Sequence, residues 1–378
     1  MKKVDFIFFD AGGGHRSAST ALKSVVDQQL RNWSPRLVNL QQELDSLDIF
    51  RKITGVRMED IYNRLLAGGW TLGSSYLLPP MHGIIRLYHP AQVRMLVDFW
   101  KRHAPAMVVS FVPNFNRALF QSLGEANPST PFVTILTDFA DYPPHFWLEN
   151  QDHHVICGTE KAYHQAIASG KPREKVFLVS GMVLRPSFYD WIPRDRANER
   201  RKLGLDPEKP TALILFGGQG SRAIAAIVER LQRVEQELQL IVVCGRNESL
   251  AERLRQGNHR LPMHVVSFTD DIPYLMSLSD FFIGKPGPGS ISEALAMKLP
   301  VIVERNAWTL PQERYNAEWV REKNVGLVLS SFSGIQKAVS EMLQPGRLTE
   351  FRRNVAKVEN RAVFEIPDIL DRILNGHG

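Results

Sequence analysis

The sequence predicts an α/β protein of two doubly wound, Rossmann-like domains, and three observations support this fold class. Short apolar runs typical of buried parallel strands alternate with stretches of apolar residues at helical spacing. Three junctions pass from such a run through a glycine cluster into a helical pattern. A segment rich in Pro, Arg and Asp, residues 181–210, separates two groups of runs as a linker would. The chain of 378 residues is long enough to give each domain its own core.

The first group of runs predicts a domain over residues 1–180, and the second predicts another over residues 211–345. A charged helical segment, residues 346–378, follows them. The strands expected in the first domain are Val4–Phe9, Met107–Phe111, Phe132–Leu136, Val155–Gly158 and Val176–Val179. Those expected in the second are Ala212–Phe216, Leu240–Cys244, His264–Ser267, Asp280–Ile283, Val301–Glu304 and Gly326–Leu329. This arrangement predicts a ligand cleft between the carboxyl ends of the two sheets.

The junction at residues 283–293, IGKPGPGSISE, has the pattern of a diphosphate site. An apolar strand ends in glycines and prolines, and a helix follows, with Ser290 or Ser292 as the expected cap. A helix start presents unpaired N–H groups and the positive end of its dipole, which bind a pyrophosphate. Glu293 would repel that anion, so we expect it to accept hydrogen bonds from ribose hydroxyls. The alternative is a tight strand–helix turn that binds nothing.

Two more junctions repeat the pattern. Gly12, Gly13, Gly14 and His15 follow the first predicted strand, and residues 217–222, GGQGSR, follow the strand Ala212–Phe216. Their recurrence favours a ligand over three idle turns, because all three junctions lie at the carboxyl ends of predicted strands.

Composition and charge exclude several other classes. The net charge is +6, and no tract of clustered Lys and Arg with interleaved aromatic residues gives a nucleic-acid footprint. The two cysteines, Cys157 and Cys244, follow apolar runs, which predicts buried free thiols in a reducing compartment and no zinc site. The first strand begins directly after three residues, so we expect no signal peptide.

Residues 65–85 carry no Asp, Glu, Lys or Arg and many apolar and aromatic side chains. We expect no membrane-spanning helix there, since glycines and prolines interrupt the segment at Gly68, Gly69, Gly73, Pro79, Pro80 and Gly83. Cations flank it at Arg51, Lys52, Arg57, Arg64 and Arg86. The region 51–86 therefore suits insertion at an anionic membrane surface, although a core-facing helix pair beneath a loop would explain the same pattern.

Further motifs extend along most of the chain. They are GGGHRSA at residues 12–18, LTDF at 136–139 followed by His145 and Trp147, GMVLRPSF at 181–188, GGQGS at 217–221, CGRN at 244–247, SFTDDIPYLMSLSD at 267–280, GKPGPGSISEAL at 284–295 and LPQERYN at 310–316. In this order and spacing they resemble nucleotide-sugar glycosyltransferases: plant monogalactosyldiacylglycerol synthases and bacterial processive diacylglycerol glucosyltransferases, with MurG as a distant relative. The resemblance implies a GT-B fold, in which the two domains face a central cleft.

The resemblance also implies that a UDP-sugar donor binds the second domain. Uracil would pair with backbone groups around Phe268 and Thr269, and the diphosphate with the N–H groups of Gly289, Ser290 and Ile291. The other implied donor-binding residues are Gly14, Gly218, Gln219, Gly220, Ser221, Arg222, Lys285, Gly287, Glu293 at the ribose, and Gln312 and Glu313 at the sugar hydroxyls. The implied acceptor site contains Gly12, Gly13, His145 and Trp147. No cofactor or metal is expected, because helix dipoles and cations stabilise the departing UDP.

An inverting transfer needs a base of near-neutral pKa to remove the proton of the acceptor hydroxyl. His15 is the first candidate. Asp138 is the second, either as the base itself or as the group that orients and charges the imidazole. His15 as a simple hydrogen-bonding group, and His145 as a residue that only shapes the acceptor pocket, remain alternatives.

These expectations describe a cytoplasmic enzyme, peripheral to the inner face of the cell membrane, that transfers a hexose from a UDP-sugar to a lipid acceptor such as diacylglycerol. A non-hydrolysing UDP-sugar 2-epimerase and a non-catalytic nucleotide-sugar sensor are the alternatives. The chain departs from the resembled family at Val112–Pro113, Met182–Val183, Gln219 and residues 304–310. These departures lie at the acceptor and sugar ends of the site, so the sugar, acceptor, processivity and oligomeric state stay open.

Overall fold

The computed structural model describes residues 1–10, 14–44, 74–142, 145–190, 195–218 and 223–376, with the backbone alone for residues 74–88. These residues form two six-stranded sheets in which neighbouring strands pair in parallel. Helices lie between most successive strands, as crossovers between parallel strands usually require. The predicted α/β class with two doubly wound domains is confirmed.

The first sheet contains β1 (Lys2–Phe8), β2 (Trp33–Asn39), β3 (Met107–Ser110), β4 (Phe132–Ile135), β5 (His154–Cys157) and β6 (Val176–Leu178). Its strand order is β2-β1-β3-β4-β5-β6. The helices described between these strands are α1 (Gly14–Gln28), α2 (Leu40–Leu44), α3 (Ser74–His103), α4 (Asn116–Ala126) and α5 (Glu160–Ala168).

Strand β2 was not predicted, because Pro35 and Arg36 interrupt its apolar pattern. It lies at the edge of the sheet, where a proline costs no ladder hydrogen bond on the open side. Arg36 pairs in register with Asp5 of β1, and its guanidinium donates to both carboxylate oxygens at 2.8 and 2.7 Å. The buried carboxylate of Asp5 thus explains a cation within a strand.

Helix α3 corrects one expectation. It continues through Pro79, Pro80 and Gly83, which were expected to interrupt a helix, and ends at His103. A proline removes one backbone hydrogen bond and does not by itself forbid the helix from continuing. Among the helices in the described part of the chain, none combines the length and the apolar character needed to cross a membrane.

The second sheet contains β7 (Thr211–Leu215), β8 (Gln239–Val243), β9 (Met263–Val266), β10 (Phe281–Gly284), β11 (Val301–Glu304) and β12 (Gly326–Leu329). Its strand order is β12-β11-β10-β7-β8-β9. The helices are α6 (Arg196–Lys202) in the linker, then α7 (Ala223–Leu231), α8 (Glu248–Gln256), α9 (Ile272–Ser277), α10 (Pro288–Ala296), α11 (Arg314–Glu322) and α12 (Ile335–Met342).

The charged segment after residue 346 forms two helices that belong to different domains. They are α13 (Arg347–Ala356) and α14 (Ala362–Leu374). Phe351 and Val355 of α13 pack into the core of the second domain. Val363, Ile366 and Leu370 of α14 instead pack with residues of β1, β3 and α1 in the first domain. The chain therefore crosses between the domains twice.

The two crossings are tied together. The side chain of Asn360 donates a hydrogen bond of 2.9 Å to the Met182 carbonyl. Glu365 accepts bonds of 2.9 and 2.6 Å from the N–H and hydroxyl groups of Ser180. Gly181 is required between them, because a Cβ atom there would lie 2.6 Å from Cγ of Asn360.

Both cysteines are buried and free, as predicted. Burial raises the pKa of the Cys244 thiol to about 11 and raises that of Cys157 as well. Both thiols therefore stay protonated at neutral pH, which makes them poor nucleophiles.

Replacing Ile366 with Ala should destabilise the protein by about 2–5 kcal/mol, since the side chain is fully buried between α14 and the first domain. Urea unfolding followed by fluorescence measures the change. Asp368→Ala on the same helix is the control. Its exposed ion pair with Arg31, at 2.7 Å, should contribute less than about 1 kcal/mol. Equal losses in the two variants would contradict the docking of α14.

Candidate active site

The loops at the carboxyl ends of both sheets meet in a cleft between the domains. His15 lies in the first turn of α1, the helix that follows β1, and Asp138 follows β4. From the second domain, Lys285 follows β10, and Glu313 ends the turn before α11. The charges of Glu313 and Lys285 both act on the pKa of Asp138, so these groups face one another across the cleft.

Asp138 is a buried carboxyl group with a perturbed pKa. Asp138 is only 7% exposed, and burial raises the pKa of its carboxyl group to about 7. The indole N–H of Trp147, which donates to Oδ2 at 2.9 Å, opposes this shift. Glu313 adds to the shift and Lys285 reduces it. Near neutral pH this carboxyl group can therefore both bind and release a proton.

Trp147 has a different role from the one predicted. It is fully buried, so it offers no exposed face to an acceptor. Its indole holds Asp138, and its ring lies 5.8 Å from the His15 ring, centroid to centroid. Asp141 accepts a bond of 2.7 Å from the Trp147 backbone N–H, and the Asn116 side chain donates to its carbonyl at 3.2 Å. Trp147 therefore orients the carboxyl group, and we correct its assignment to acceptor binding.

His15 is neutral at pH 7, because burial lowers its pKa to about 4 against the opposing effect of the Phe111 backbone. Its Nδ1 atom lies 3.1 Å from the hydroxyl of Thr137. The expectation that Asp138 orients and charges the imidazole is therefore wrong. Thr137 and Phe111 orient the ring, and Asp138 bonds to Trp147.

His145 lies in the loop that carries Trp147. It is exposed, with a positive φ of 67°, and its N–H donates to Asp141 at 3.0 Å. Its ring Nδ1 lies 3.2 Å from the Leu148 carbonyl. These contacts stabilise the turn, and a role in acceptor binding stays a prediction.

The start of α10 provides free N–H groups. Gly287 is its N-cap residue and no side chain caps the helix, so the expected capping by Ser290 or Ser292 is wrong. The N–H groups of Gly289 and Ser290 have no acceptor among the described residues, and the space beside Gly289 is open. The Ile291 N–H donates to the Gly287 carbonyl at 3.1 Å, so its assignment to a diphosphate is also corrected. Two backbone N–H donors, together with the helix dipole, are therefore available to bind an anion.

We call the region around Gly289, Lys285 and Glu313 the donor corner. It contains the ion pair of Lys285 and Glu313, at 2.9 Å between Nζ and Oε1. The Lys285 side chain runs beside Gly217, which has a positive φ of 79°, and Gly287. Gln312 is half-buried in the same turn as Glu313. The structure thus brings the predicted phosphate and sugar residues to one corner.

Glu293 lies on α10, and the charge of Arg185, a residue that the sequence pattern did not assign, acts on it. Burial raises the pKa of Glu293 to about 7, and the Arg185 charge opposes this. Arg185 also donates to the Asp270 carbonyl at 3.3 Å, in the loop that carries Phe268 and Thr269. It belongs to the GMVLRPSF motif, and only the fold brings it near Glu293, the residue expected at the ribose.

Phe268 forms an exposed aromatic surface at the outer end of this corner. Its ring is 47% exposed, and the guanidinium of Arg246 lies 5.0 Å from its centroid. The ring is 3.8 Å from the position of a Cβ on Gly218, and the Gly218 carbonyl accepts a bond from the Arg246 N–H. Thr269 accepts a hydrogen bond from the Asp271 N–H at 3.1 Å, which shapes the adjacent turn. The residues predicted to lie near uracil therefore present an exposed aromatic surface.

Several assigned residues lie outside the described ranges. They are Gly12, Gly13, Gln219, Gly220, Ser221 and Arg222. Most of the region 51–86 lies outside as well, and the side chains of residues 74–86 are not described. Among the residues that the structure does describe, no group of three or more His, Cys, Asp or Glu side chains is placed to hold a metal ion.

Known glycosyltransferases resemble this chain in sequence. Residues 211–372 match the C-terminal domain of glycosyltransferase family 28. The chain therefore resembles this family over its second domain. It is also 27% identical over 398 aligned residues to the monogalactosyldiacylglycerol synthase of Spinacia oleracea, covering 99% of this chain and 73% of the relative. The protein is a glycosyltransferase, and the resemblance inferred from the motifs is confirmed.

Solved structures support the same fold. The glycosyltransferase resembles MurG of Acinetobacter baumannii with a TM-score of 0.68 at 14% identity, over 98% of this chain and 100% of the other. It also resembles the UDP-GlcNAc 2-epimerase of Neisseria meningitidis, solved with UDP-GlcNAc, with a TM-score of 0.60 at 15% identity, over 98% and 100%. At these identities the likeness establishes the GT-B fold alone. The sequence matches to glycosyltransferases favour transfer over the epimerase and sensor alternatives.

Replacing Trp147 with Phe should raise the pKa of Asp138 above about 7, because the variant loses the N–H that stabilises the carboxylate. Carbon-13 NMR of the labelled aspartate carboxyl groups measures the titration, with Asp138→Asn to assign the signal. Trp100→Phe is the matched control, since it removes a buried indole bond of 2.8 Å to Ser122 far from Asp138. An unchanged or lower pKa in the Trp147 variant would contradict this account.

Proposed function

We propose that this glycosyltransferase transfers a hexose from a UDP-sugar to the free hydroxyl group of a diacylglycerol-like lipid, with inversion at the anomeric carbon. The observation that carries the proposal is the buried Asp138 carboxyl group, which has a near-neutral pKa and lies near Lys285 and Glu313 of the second domain. The names of the relatives, monogalactosyldiacylglycerol synthases, suggest the acceptor class and make galactose the first sugar to test.

The donor would bind across the second domain. Uracil would lie at Phe268 and Thr269, and the ribose hydroxyls would donate to Glu293 in its ionised form. The diphosphate would accept hydrogen bonds from the N–H groups of Gly289 and Ser290 and would attract Lys285. Gln312 and Glu313 would bind hydroxyl groups of the sugar, which is why Glu313 must be free to exchange its contact with Lys285.

Asp138 is the better candidate for the base than His15. A conjugate acid of pKa near 4 makes the His15 imidazole a weak base, whereas Asp138 titrates near neutral pH. In the proposed step the acceptor hydroxyl gives its proton to the Asp138 carboxylate, and its oxygen bonds to the anomeric carbon. The bond from that carbon to the β-phosphate oxygen breaks, and its electron pair leaves with UDP. Neutral His15 would hold the acceptor hydroxyl by a hydrogen bond.

We propose that this departure needs no bound metal. Charge developing on the β-phosphate would be stabilised by the start of α10 and by the Lys285 ammonium group, both in place before reaction. We also propose that the enzyme works as a peripheral protein at the inner face of the cell membrane. The uncharged, aromatic-rich stretch within residues 51–86 and its flanking cations support this placement.

A transfer assay tests the proposal. Purified protein is mixed with liposomes of diacylglycerol and anionic phospholipid and with UDP-galactose, UDP-glucose or UDP-N-acetylglucosamine, and both products are identified by mass spectrometry. We expect one new glycolipid of inverted configuration, an equal amount of UDP, and a rate that EDTA changes less than twofold. Flotation of the protein with anionic but not neutral liposomes is expected from the membrane proposal. UDP release without glycolipid would overturn the lipid acceptor, and a loss of activity in EDTA would overturn metal independence.

Asp138→Asn should lower kcat by about 10³-fold or more, because it removes the base and leaves the donor site intact. His15→Asn should lower kcat by about 10- to 100-fold and leave the rise of kcat through about pH 7 in place, since that rise would belong to Asp138. Initial rates between pH 5 and 9 and the dissociation constant for UDP separate the two effects. Loss of the pH dependence in His15→Asn, with near-normal turnover in Asp138→Asn, would return the base to His15.

A further inference from the structure

Phe139 joins the two domains directly beside Asp138. It follows β4 of the first domain, yet its side chain is 3% exposed and packs in the hydrophobic core of the second domain, with Leu295 and Val320 among others. Its carbonyl accepts a hydrogen bond from Thr159, which also caps α5 through the Ala162 N–H. The backbone that carries Asp138 is thus held by both domains.

The Phe139 ring also contacts the ring of Trp319 in the second domain. The two rings make an edge-to-face contact, with centroids 5.0 Å apart and planes at 69°. Trp319 lies on α11, which begins at Arg314, directly after Glu313. One rigid helix therefore links a residue assigned to the donor sugar with the ring next to Asp138.

Packing around this contact is incomplete. A cavity of about 40 Å³ lies between Phe139 and Trp319 on one side and the crossing residues Gly181, Met182 and Asn360 on the other. It is lined mainly by apolar groups. Such a space lets the Trp319 ring slide against Phe139 without breaking a hydrogen bond, whereas a filled core would resist the movement.

We propose that Trp319 is a positioning residue that couples occupation of the donor-sugar site to the placement of the Asp138 carboxyl group. A sugar bound at Gln312 and Glu313 pulls on the start of α11. Trp319 passes this displacement to Phe139, and the backbone carries it to the adjacent Asp138. The proposal rests on the proposed function, because it assumes that a donor sugar occupies this corner.

The ionisable groups that face Asp138 are Lys285 and Glu313 from the second domain and Asp141 from its own loop. The His15 ring lies 5.8 Å from the Trp147 ring, centroid to centroid, and is neutral near pH 7. Burial is the largest cause of the raised pKa of Asp138. Loosening the contact between Phe139 and Trp319 should therefore admit water and lower that pKa toward its ordinary value.

The experiment is a double-mutant cycle with Phe139→Leu, Trp319→Leu and both together, and with Trp319→Phe as the conservative variant. We expect Trp319→Leu to lower kcat by about 10- to 100-fold, the scale of a displacement of about 1 Å, with the dissociation constant for UDP changed less than threefold. The rise of kcat with pH should move to lower pH. The double variant should lose no more than the worse single variant, and Trp319→Phe should keep most of the activity.

Lys323→Gln, an exposed change directly after the same helix, is the control and should leave every readout unchanged. Additive losses in the cycle, or equal weakening of kcat and of UDP binding, would overturn the coupling and leave Trp319 a purely structural residue. If wild-type protein transfers no sugar to lipid, the proposed function fails first. The coupling is then tested by carbon-13 NMR: UDP-galactose should shift the Asp138 titration in wild-type protein and not in Trp319→Leu. An equal shift in both would overturn it.

Discussion

The hydrogen bond from Asn360 to the Met182 carbonyl ties together the two passages of the chain between the domains. The distances across the cleft depend on this junction and on the packing of Phe139, because Asp138 follows a strand of one sheet and Lys285 and Glu313 belong to the other domain. Gly181 allows the approach, and Ser180 with Glu365 strengthens it. The junction is polar and compact, whereas the space beside Trp319 is partly empty. A firm hinge beside a loosely packed contact permits rotation of the domains without separating them.

Burial acts in opposite directions on the two candidate bases. Removing water disfavours the charged form of any group, so it lowers the pKa of His15 and raises that of Asp138 and Glu293. At neutral pH Asp138 and Glu293 therefore exist as mixtures of their neutral and ionised forms. The proposed UDP-sugar donor, with its negative phosphates, would meet less negative charge from these two groups than from two ordinary carboxylates, and it would lie beside Lys285 and the start of α10.

Much of this architecture was predictable, because buried parallel strands read as continuous apolar runs and glycine clusters mark their carboxyl ends. Strand β2 escaped notice because its Arg36 is explained only by the buried Asp5 on a neighbouring strand. In the candidate site, His15, Asp138, Glu293 and Glu313 were assigned from motifs, and these assignments stay predictions. The role of Trp147 and the presence of Arg185 near Glu293 depend on contacts between distant segments, which no local pattern encodes. Capping of α10 was mispredicted because the sequence shows the two serines but not that Gly287 occupies the N-cap position.

The docking of α14 has a consequence for biosynthesis. Strand β1 is synthesised well before its hydrophobic partners on α14, because Phe8 at its end and Ala362 at the start of the helix are separated by most of the described chain. The second domain has all its strands by residue 329 and its last core helix by residue 356. During translation the C-terminal domain can therefore finish folding before the N-terminal one. Until α14 leaves the ribosome, the apolar surface of β1, β3 and α1 that it covers stays exposed on the nascent N-terminal domain.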